Sequence, residues 1–146
     1  MDADHPRYAA RLRAWSGATR RCPREAGRPG MPGSGRERIM IHGRCHCGAV
    51  GLAVPAAPDT VTRCNCSICR RLGALWAFYP VDALVVTAAD GALDSYLWGP
   101  GSRRFLRCRH CGCTTHVLPV GGAAGRQAEL NTLMFEPGAL GTPRVR

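Results

Sequence analysis

Two short cysteine motifs far apart in the chain, Cys45-His46-Cys47-Gly48 and Cys108-Arg109-His110-Cys111-Gly112, carry most of the information about its fold. Cysteines spaced by one or two residues direct two sulfur atoms at one ion, and a glycine after the second cysteine permits the tight turn that aims backbone N–H groups at sulfur. Together the motifs supply four sulfurs, the complete tetrahedral set of a structural zinc site. The sequence therefore predicts one metal ion that joins two distant segments.

A third motif, Cys64-Asn65-Cys66-Ser67-Ile68-Cys69, supplies three sulfurs from one short segment. Three protein ligands leave the fourth tetrahedral position open to water or substrate, which is the arrangement of catalytic zinc. The alternative is a second closed site, in which Cys113, His116, His46 or His110 fills that position. A further alternative is a single shared four-sulfur site, with the remaining thiols structural or redox-active.

The chain has nine cysteines, and eight of them follow residue 38, with Cys22 as the exception. The first thirty residues lack the apolar stretch of a secretory signal, so we expect a cytoplasmic protein. In a reducing compartment, closely spaced thiols are metal ligands or redox centres more often than disulfides. The cysteine usage therefore favours metal binding.

The formal charge is +10 over 146 residues, and all twenty basic residues are arginine. Residues 1–38 carry nine arginines against four acids and residues 39–146 carry eleven against six, so each part contributes +5. The arginines are not interleaved with aromatic residues as in a single-strand binder, which makes nucleic acid an unlikely partner. No apolar run approaches the roughly 18 residues of a membrane span.

Proline and glycine clusters interrupt residues 1–38, so this segment is predicted to be a disordered basic tail. Residues 39–146 are predicted to form one zinc-binding β domain, because short apolar or β-branched runs alternate with turn residues. The predicted strands are 39–44, 49–54, 60–64, 74–79, 83–87, 94–98, 103–107, 115–118 and 129–135. Only 66–71 is typical of a helical turn. The fold class is therefore mainly β.

Four aromatic residues near these motifs are ambiguous. Trp76, Phe78 and Tyr79 follow the third motif and could wall a substrate pocket, but their alternation favours the core. Trp98 precedes a Gly-Pro-Gly turn and is also expected to pack inside.

The three motifs in this order, with the flanking runs 43–50 and 64–71, Phe105 and the closing segment 130–133, resemble the glutathione-dependent formaldehyde-activating enzyme family, which includes the centromere protein V type of domain. The resemblance implies a zinc-bound, multi-sheet antiparallel fold of the β-tent type. It implies that Cys45, Cys47, Cys108 and Cys111 hold a structural zinc ion. It also implies that Cys64, Cys66 and Cys69 hold a second, catalytic zinc ion.

Such family members add glutathione to formaldehyde, formally a carbon–sulfur lyase reaction in reverse, so the resemblance implies a small thiol and a small aldehyde as substrates. Arg70, Arg71, Arg103 or Arg104 could pair with the carboxylates of glutathione or be solvated surface residues. The chain has Cys113 where the family commonly has threonine, which would abolish the open position if its sulfur joined the middle motif.

Two other classes of function remain open at this stage. One is a non-catalytic zinc-binding β module that binds protein or nucleic acid. The other is a thiol redox sensor or zinc store that uses Cys66, Cys69 and Cys113.

Overall fold

The computed structural model describes residues 39–121 and 127–146, which form ten β-strands, one short helix and two 3₁₀ turns. The strands are β1 Ile41–Arg44, β2 Val50–Val54, β3 Thr60–Val61, β4 Trp76–Pro80, β5 Val85–Ala88, β6 Leu93–Trp98, β7 Arg103–Cys108, β8 Thr114–Pro119, β9 Gln127–Asn131 and β10 Arg144–Val145. Helix α1 spans Cys69–Leu72, and the 3₁₀ turns span Val81–Ala83 and Thr132–Met134. No helix in this part of the chain is long and apolar enough to cross a membrane.

The described strands form three sheets. A five-stranded antiparallel sheet has the order β4-β9-β8-β7-β6, and a three-stranded antiparallel sheet has the order β1-β2-β5. Strands β3 and β10 form a small parallel pair. The prediction of a mainly β fold with several antiparallel sheets is confirmed, whereas the tail predicted for residues 1–38 lies outside the described residues.

The main core lies between the two antiparallel sheets, because one buried cluster contains residues of both. Leu52 of β2 and Val86 of β5 belong to it, and so do Ala77 of β4 and Leu130 of β9. Successive side chains of a strand point to opposite faces, so the neighbours of Ala77 and Leu130 face the other side of the five-stranded sheet. That second face carries one of the two cysteine groups described below.

A smaller buried cluster covers this second face. It contains Trp76 of β4, Phe105 of β7, Val117 of β8 and Cys69 at the start of α1. The rings of Trp76 and Phe105 meet edge to face, with 5.9 Å between their centroids. Edge-to-face contact is a favourable arrangement for aromatic rings, so this pair fixes the wall against which α1 packs.

The carboxyl-terminal end of the last predicted strand, 129–135, is wrong. Strand β9 ends at Asn131, whose side-chain oxygen accepts a hydrogen bond from the N–H of Leu133 at 3.2 Å. Asparagine competes for backbone hydrogen bonds in this way at turns and caps, and here it redirects the chain into the 3₁₀ turn Thr132–Met134.

The parallel pairing of β3 with β10 was not predicted. The N–H of Arg63 donates to the carbonyl of Arg146 at 2.8 Å, and the N–H of Arg146 donates to the carbonyl of Val61 at 3.0 Å. These bonds fix the end of the chain beside the segment that leads into Cys64.

Gly43, two residues before the first cysteine motif, has no room for a side chain. A Cβ atom there would lie 2.8 Å from ring atoms of Phe135 and 2.9 Å from the carbonyl oxygen of Met134. Phe135 is buried, so its ring can move only by disturbing the core. We expect Gly43→Ala to lower the free energy of unfolding by about 2 kcal/mol in urea denaturation. Gly43→Ala/Phe135→Leu should cost less than the sum of the two single changes, and strictly additive costs would contradict the steric explanation.

Candidate metal centres

The first cysteine group brings together the two distant motifs. Cys45 and Cys47 lie in the turn between β1 and β2, and Cys108 and Cys111 lie at the end of β7 and in the turn that follows it. The four sulfur atoms all lie within 4.8 Å of one another, although Cys47 and Cys108 are 61 residues apart in sequence. The convergence expected from the spacing is therefore present.

The two turns of this group have the same construction. Gly48 has φ of 79° and Gly112 has φ of 75°, a region that favours glycine. The N–H of Gly48 donates to the carbonyl of Cys45 at 2.9 Å, and that of Gly112 donates to the carbonyl of Cys108 at 2.8 Å. The N–H of Val50 points at the sulfur of Cys45 at 3.3 Å. Each glycine thus closes a turn that presents backbone donors to sulfur.

The sulfur spacing of this group fits a tetrahedral metal ion. Cys47 Sγ lies 3.6 Å from Cys45 Sγ and 3.6 Å from Cys108 Sγ. Four sulfurs each about 2.3 Å from one ion would lie about 3.8 Å from one another, whereas a disulfide bond is about 2.05 Å long. All eight cysteines of the described residues are free thiols. The group therefore suits zinc and does not consist of disulfides.

The thiols of this group differ in acidity. Burial raises the pKa of Cys45 above its ordinary value. Burial also raises the pKa of Cys111, but backbone N–H donors from Cys113 and Cys47, with the Cys108 thiol, outweigh it and lower the pKa to about 6. Zinc ligates cysteine as thiolate, so the binding of zinc to this group would release the protons of these thiols.

The second cysteine group comes from a single segment that follows β3 and runs into the first residue of α1. The sulfurs of Cys64, Cys66 and Cys69 all lie within 4.8 Å of one another. No other histidine, cysteine or carboxylate among residues 39–121 and 127–146 has a ligand atom that completes this group to four. The described chain therefore offers three ligands here and four in the first group.

The three thiols of the second group differ in exposure. Cys69 is 4% exposed, and the indole N–H of Trp76 donates to its sulfur at 3.2 Å. Burial raises the pKa of Cys69 to about 12, whereas the backbone N–H of Cys69 lowers the pKa of Cys66. Cys64 and Cys66 are half-buried. Cys69 is therefore the buried ligand of this group, held against Trp76, whereas Cys64 and Cys66 are the ligands nearer to solvent.

The residues considered as a fourth ligand lie elsewhere. Cys113 adjoins the first group, where its sulfur accepts the backbone N–H of His46 and interacts with Cys111. His116 is fully buried in β8, its Nδ1 lies 2.9 Å from the hydroxyl of Thr115, and burial lowers its pKa to about 3. His46 and His110 are exposed and join neither sulfur group. The alternative in which one of these side chains closes the second group does not fit this arrangement.

A family model named "Glutathione-dependent formaldehyde-activating enzyme" matches residues 40–138, a range that contains both cysteine groups. The chain belongs to the glutathione-dependent formaldehyde-activating enzyme family. Over 92 residues it is 34% identical to a Halomonas elongata protein whose name gives it, provisionally, the same activity. That match covers 55% of this chain and 57% of the relative, so the chain spans little more than half the relative's length. A crystal structure of a Rhodobacter sphaeroides protein is also similar, with a TM-score of 0.59 and 30% identity over 73% of this chain and all of that one.

The four arginines considered as partners of the glutathione carboxylates have different surroundings. Arg71 donates to the carbonyl of Ser67 at 2.6 Å, within the segment of the second group. Arg103 forms an ion pair with Glu129 at 2.6 Å. Within the described residues, Arg70 and Arg104 form no side-chain hydrogen bond or ion pair, so either is available to an anion.

Three of the four aromatic residues pack as expected. Trp76 and Tyr79 are buried, and Trp98 packs against the small cluster that includes Cys69. Phe78 differs, because it is 36% exposed.

Sequence reasoning also missed Glu129, although a charged residue between Ala128 and Leu130 in a strand indicates a side chain on the sheet face opposite to the core.

Trp76 is expected to tune the metal affinity of the second group. Trp76→Phe removes the N–H that reaches the sulfur of Cys69 but keeps most of the apolar wall. Hydrogen-bond donors to a metal ligand contribute about 10-fold to 100-fold to metal affinity. In competition with a chelator, the variant should therefore lose zinc from this group at a chelator concentration lower by the same factor. Trp98→Phe is the matched control, because the Trp98 indole donates no hydrogen bond to any described residue. Equal zinc affinities in the two variants would contradict the role of the indole.

Proposed function

We propose that this chain is a zinc-dependent enzyme that adds a small thiol, glutathione in the first instance, to formaldehyde or another small aldehyde, a carbon–sulfur lyase reaction in the direction of synthesis. In this proposal Cys45, Cys47, Cys108 and Cys111 hold a structural zinc ion. Cys64, Cys66 and Cys69 hold a second, catalytic one. A reducing compartment such as the cytoplasm would keep these thiols free.

The observation that carries the proposal is the difference between a four-sulfur group and a three-sulfur group in one domain. A complete tetrahedral set has no position for a substrate, whereas three protein ligands leave one. Membership of a family named for glutathione-dependent formaldehyde activation supports the thiol and the aldehyde as substrate classes.

A zinc ion in the second group would supply Lewis acidity, which lowers the pKa of a thiol at the open position or polarises an aldehyde oxygen. The chain's own residues perform the remaining tasks. The Trp76 indole offsets the charge of the Cys69 thiolate and orients it. Trp76, Phe105 and Val117 form a buried apolar wall behind Cys69, and the half-buried position of Cys64 and Cys66 gives substrates access to the group from solvent.

Metal analysis combined with exchange spectroscopy tests the proposal. Purified protein should contain two zinc ions per chain, and glutathione should perturb only one of them. The protein should accelerate the formation of S-hydroxymethylglutathione from ¹³C-formaldehyde and glutathione above the uncatalysed rate, as measured by NMR exchange. Two inert zinc ions and no acceleration would reject the enzyme and favour a β module that uses zinc only for folding.

A further inference from the structure

An ion pair lies on the same face of the five-stranded sheet as the three-sulfur group. Arg103 Nη1 of β7 contacts Glu129 Oε1 of β9 at 2.6 Å, and the pair reaches over β8, which separates the two strands. The side chain of Glu129 is 13% exposed and that of Arg103 is 41% exposed. A largely buried carboxylate therefore faces one half-exposed cation.

This ion pair contributes little to the stability of the fold. Burial raises the pKa of Glu129 although the charge of Arg103 lowers it, so the desolvation of the carboxylate outweighs the attraction. Apolar residues at a buried position often stabilise a fold as much as an ion pair does, or more. A largely buried charged pair close to a candidate reaction centre is more readily explained by recognition of a ligand.

Aromatic residues flank both charges. The strand register places Phe78 directly beside Glu129 and Trp98 directly beside Arg103. Trp98 packs against the same small cluster as Cys64 and Cys66, so the charged pair and the sulfur group share one surface. The exposed ring of Phe78 offers a π face next to the carboxylate, a setting that suits an ammonium group.

One side chain, Trp76, connects the two parts of this surface. Trp76 contacts the sulfur of Cys69 and is paired with Asn131, so it is a diagonal neighbour of Glu129 across β4 and β9. Diagonal neighbours in an antiparallel sheet lie about 7–8 Å apart. That span joins backbone positions, and the Trp76 indole extends from one of them to the sulfur group. An extended tripeptide is about 10 Å long, so it can place a thiol at the sulfur group and a charged end at Glu129 on the same face.

Building on the proposed thiol addition, we propose that Arg103 and Glu129 bind the α-amino-acid zwitterion of the thiol substrate, the γ-glutamyl end in glutathione. The guanidinium of Arg103 donates to the α-carboxylate, and the carboxylate of Glu129 accepts from the α-ammonium group beside Phe78. One ion pair thus recognises both charges of one amino-acid end. The pair selects γ-glutamyl thiols over simple thiols that lack this group.

Calorimetric titration of the zinc-loaded protein with S-methylglutathione tests this site, because the thioether retains the zwitterion but has no thiol to ionise. The comparison ligand is the desamino analogue, which lacks only the α-ammonium group. A charge-assisted hydrogen bond is worth about tenfold or more in affinity, so the wild-type protein should bind the analogue at least about tenfold more weakly. The variant Glu129→Gln should bind the two ligands with similar affinity.

Asp94→Asn is the matched control, because it breaks another ion pair of the same sheet, Arg107 with Asp94 at 2.6 Å. This variant should discriminate between the ligands as the wild type does. The proposal is overturned if the wild type fails to bind S-methylglutathione, or binds both ligands equally, a result that needs no variant to fold. Continued discrimination by folded Glu129→Gln would also overturn it. Discrimination without accelerated thiol addition would support the recognition site and reject the proposed reaction.

Discussion

Replacing Cys45 with serine is expected to leave the chain unfolded at room temperature, so that no cooperative thermal transition is observed. Cys45 is 1% exposed and its sulfur belongs to the group that joins the turn after β1 to the end of β7. A structural zinc ion contributes about 10–16 kcal/mol to folding, which equals or exceeds the total of about 5–15 kcal/mol for an ordinary domain. Circular dichroism during thermal denaturation, with zinc analysis, measures the effect.

The control for Cys45→Ser is Cys113→Ser. Cys113 adjoins the same group but is not one of its four sulfurs, so its loss should leave zinc content and cooperative melting nearly unchanged. A soluble Cys45→Ser protein that melts like the wild type would show that the four sulfurs do not hold the fold together. Unfolding of Cys113→Ser would show that Cys113 is also needed for the fold, so that the effect of Cys45→Ser could not be assigned to the four sulfurs alone.

The cysteine groups were predictable because their geometry is largely local. A spacing of one or two residues followed by glycine aims two sulfurs in one direction, whatever the rest of the fold. A tetrahedral zinc site then requires two such turns to meet, which is how Cys47 and Cys108 can be connected, although they are 61 residues apart, without any knowledge of strand pairing. The mainly β class followed from the short apolar runs between turn residues in the same way.

Features that depend on which strands become neighbours were not predictable. Sequence gives no register, so it could not show that Arg103 and Glu129 meet across β8 or that the chain end pairs with β3. It also could not decide where Cys113 points. Because a bulge between Leu106 and Arg107 and the positive φ of Gly112 set the path into β8, the sulfur adjoins the first group and not the second.

The side chain of Asn131 illustrates the remaining source of error. The apolar residues after β9 continue a plausible strand pattern, but a single side-chain hydrogen bond to the N–H of Leu133 ends the strand. Local competition between side chain and backbone is decided by about 1 kcal/mol per hydrogen bond, and the periodicity of the sequence does not show it.

The second group is expected to be dispensable for folding, which makes Cys66→Ser the complement of Cys45→Ser. The three sulfurs of Cys64, Cys66 and Cys69 lie within one short segment, so a metal ion there closes only a short loop and removes little entropy from the unfolded chain. Cys66 is half-buried, and serine can replace it without leaving a large cavity. Loss of this ligand should therefore remove a metal ion without removing the structure.

Cys66→Ser should contain one zinc ion per chain and should melt cooperatively. The rate of catalysed thiol addition should fall by about a hundredfold or more, because a catalytic zinc site needs three protein ligands and two do not retain the ion. Zinc analysis, thermal denaturation and NMR exchange on one preparation measure the three quantities. Ser67→Ala is the control, since Ser67 is exposed beside Cys66 and offers no metal ligand. If Cys66→Ser unfolds, the second group is structural; if it keeps two zinc ions and full activity, Cys66 is not a ligand.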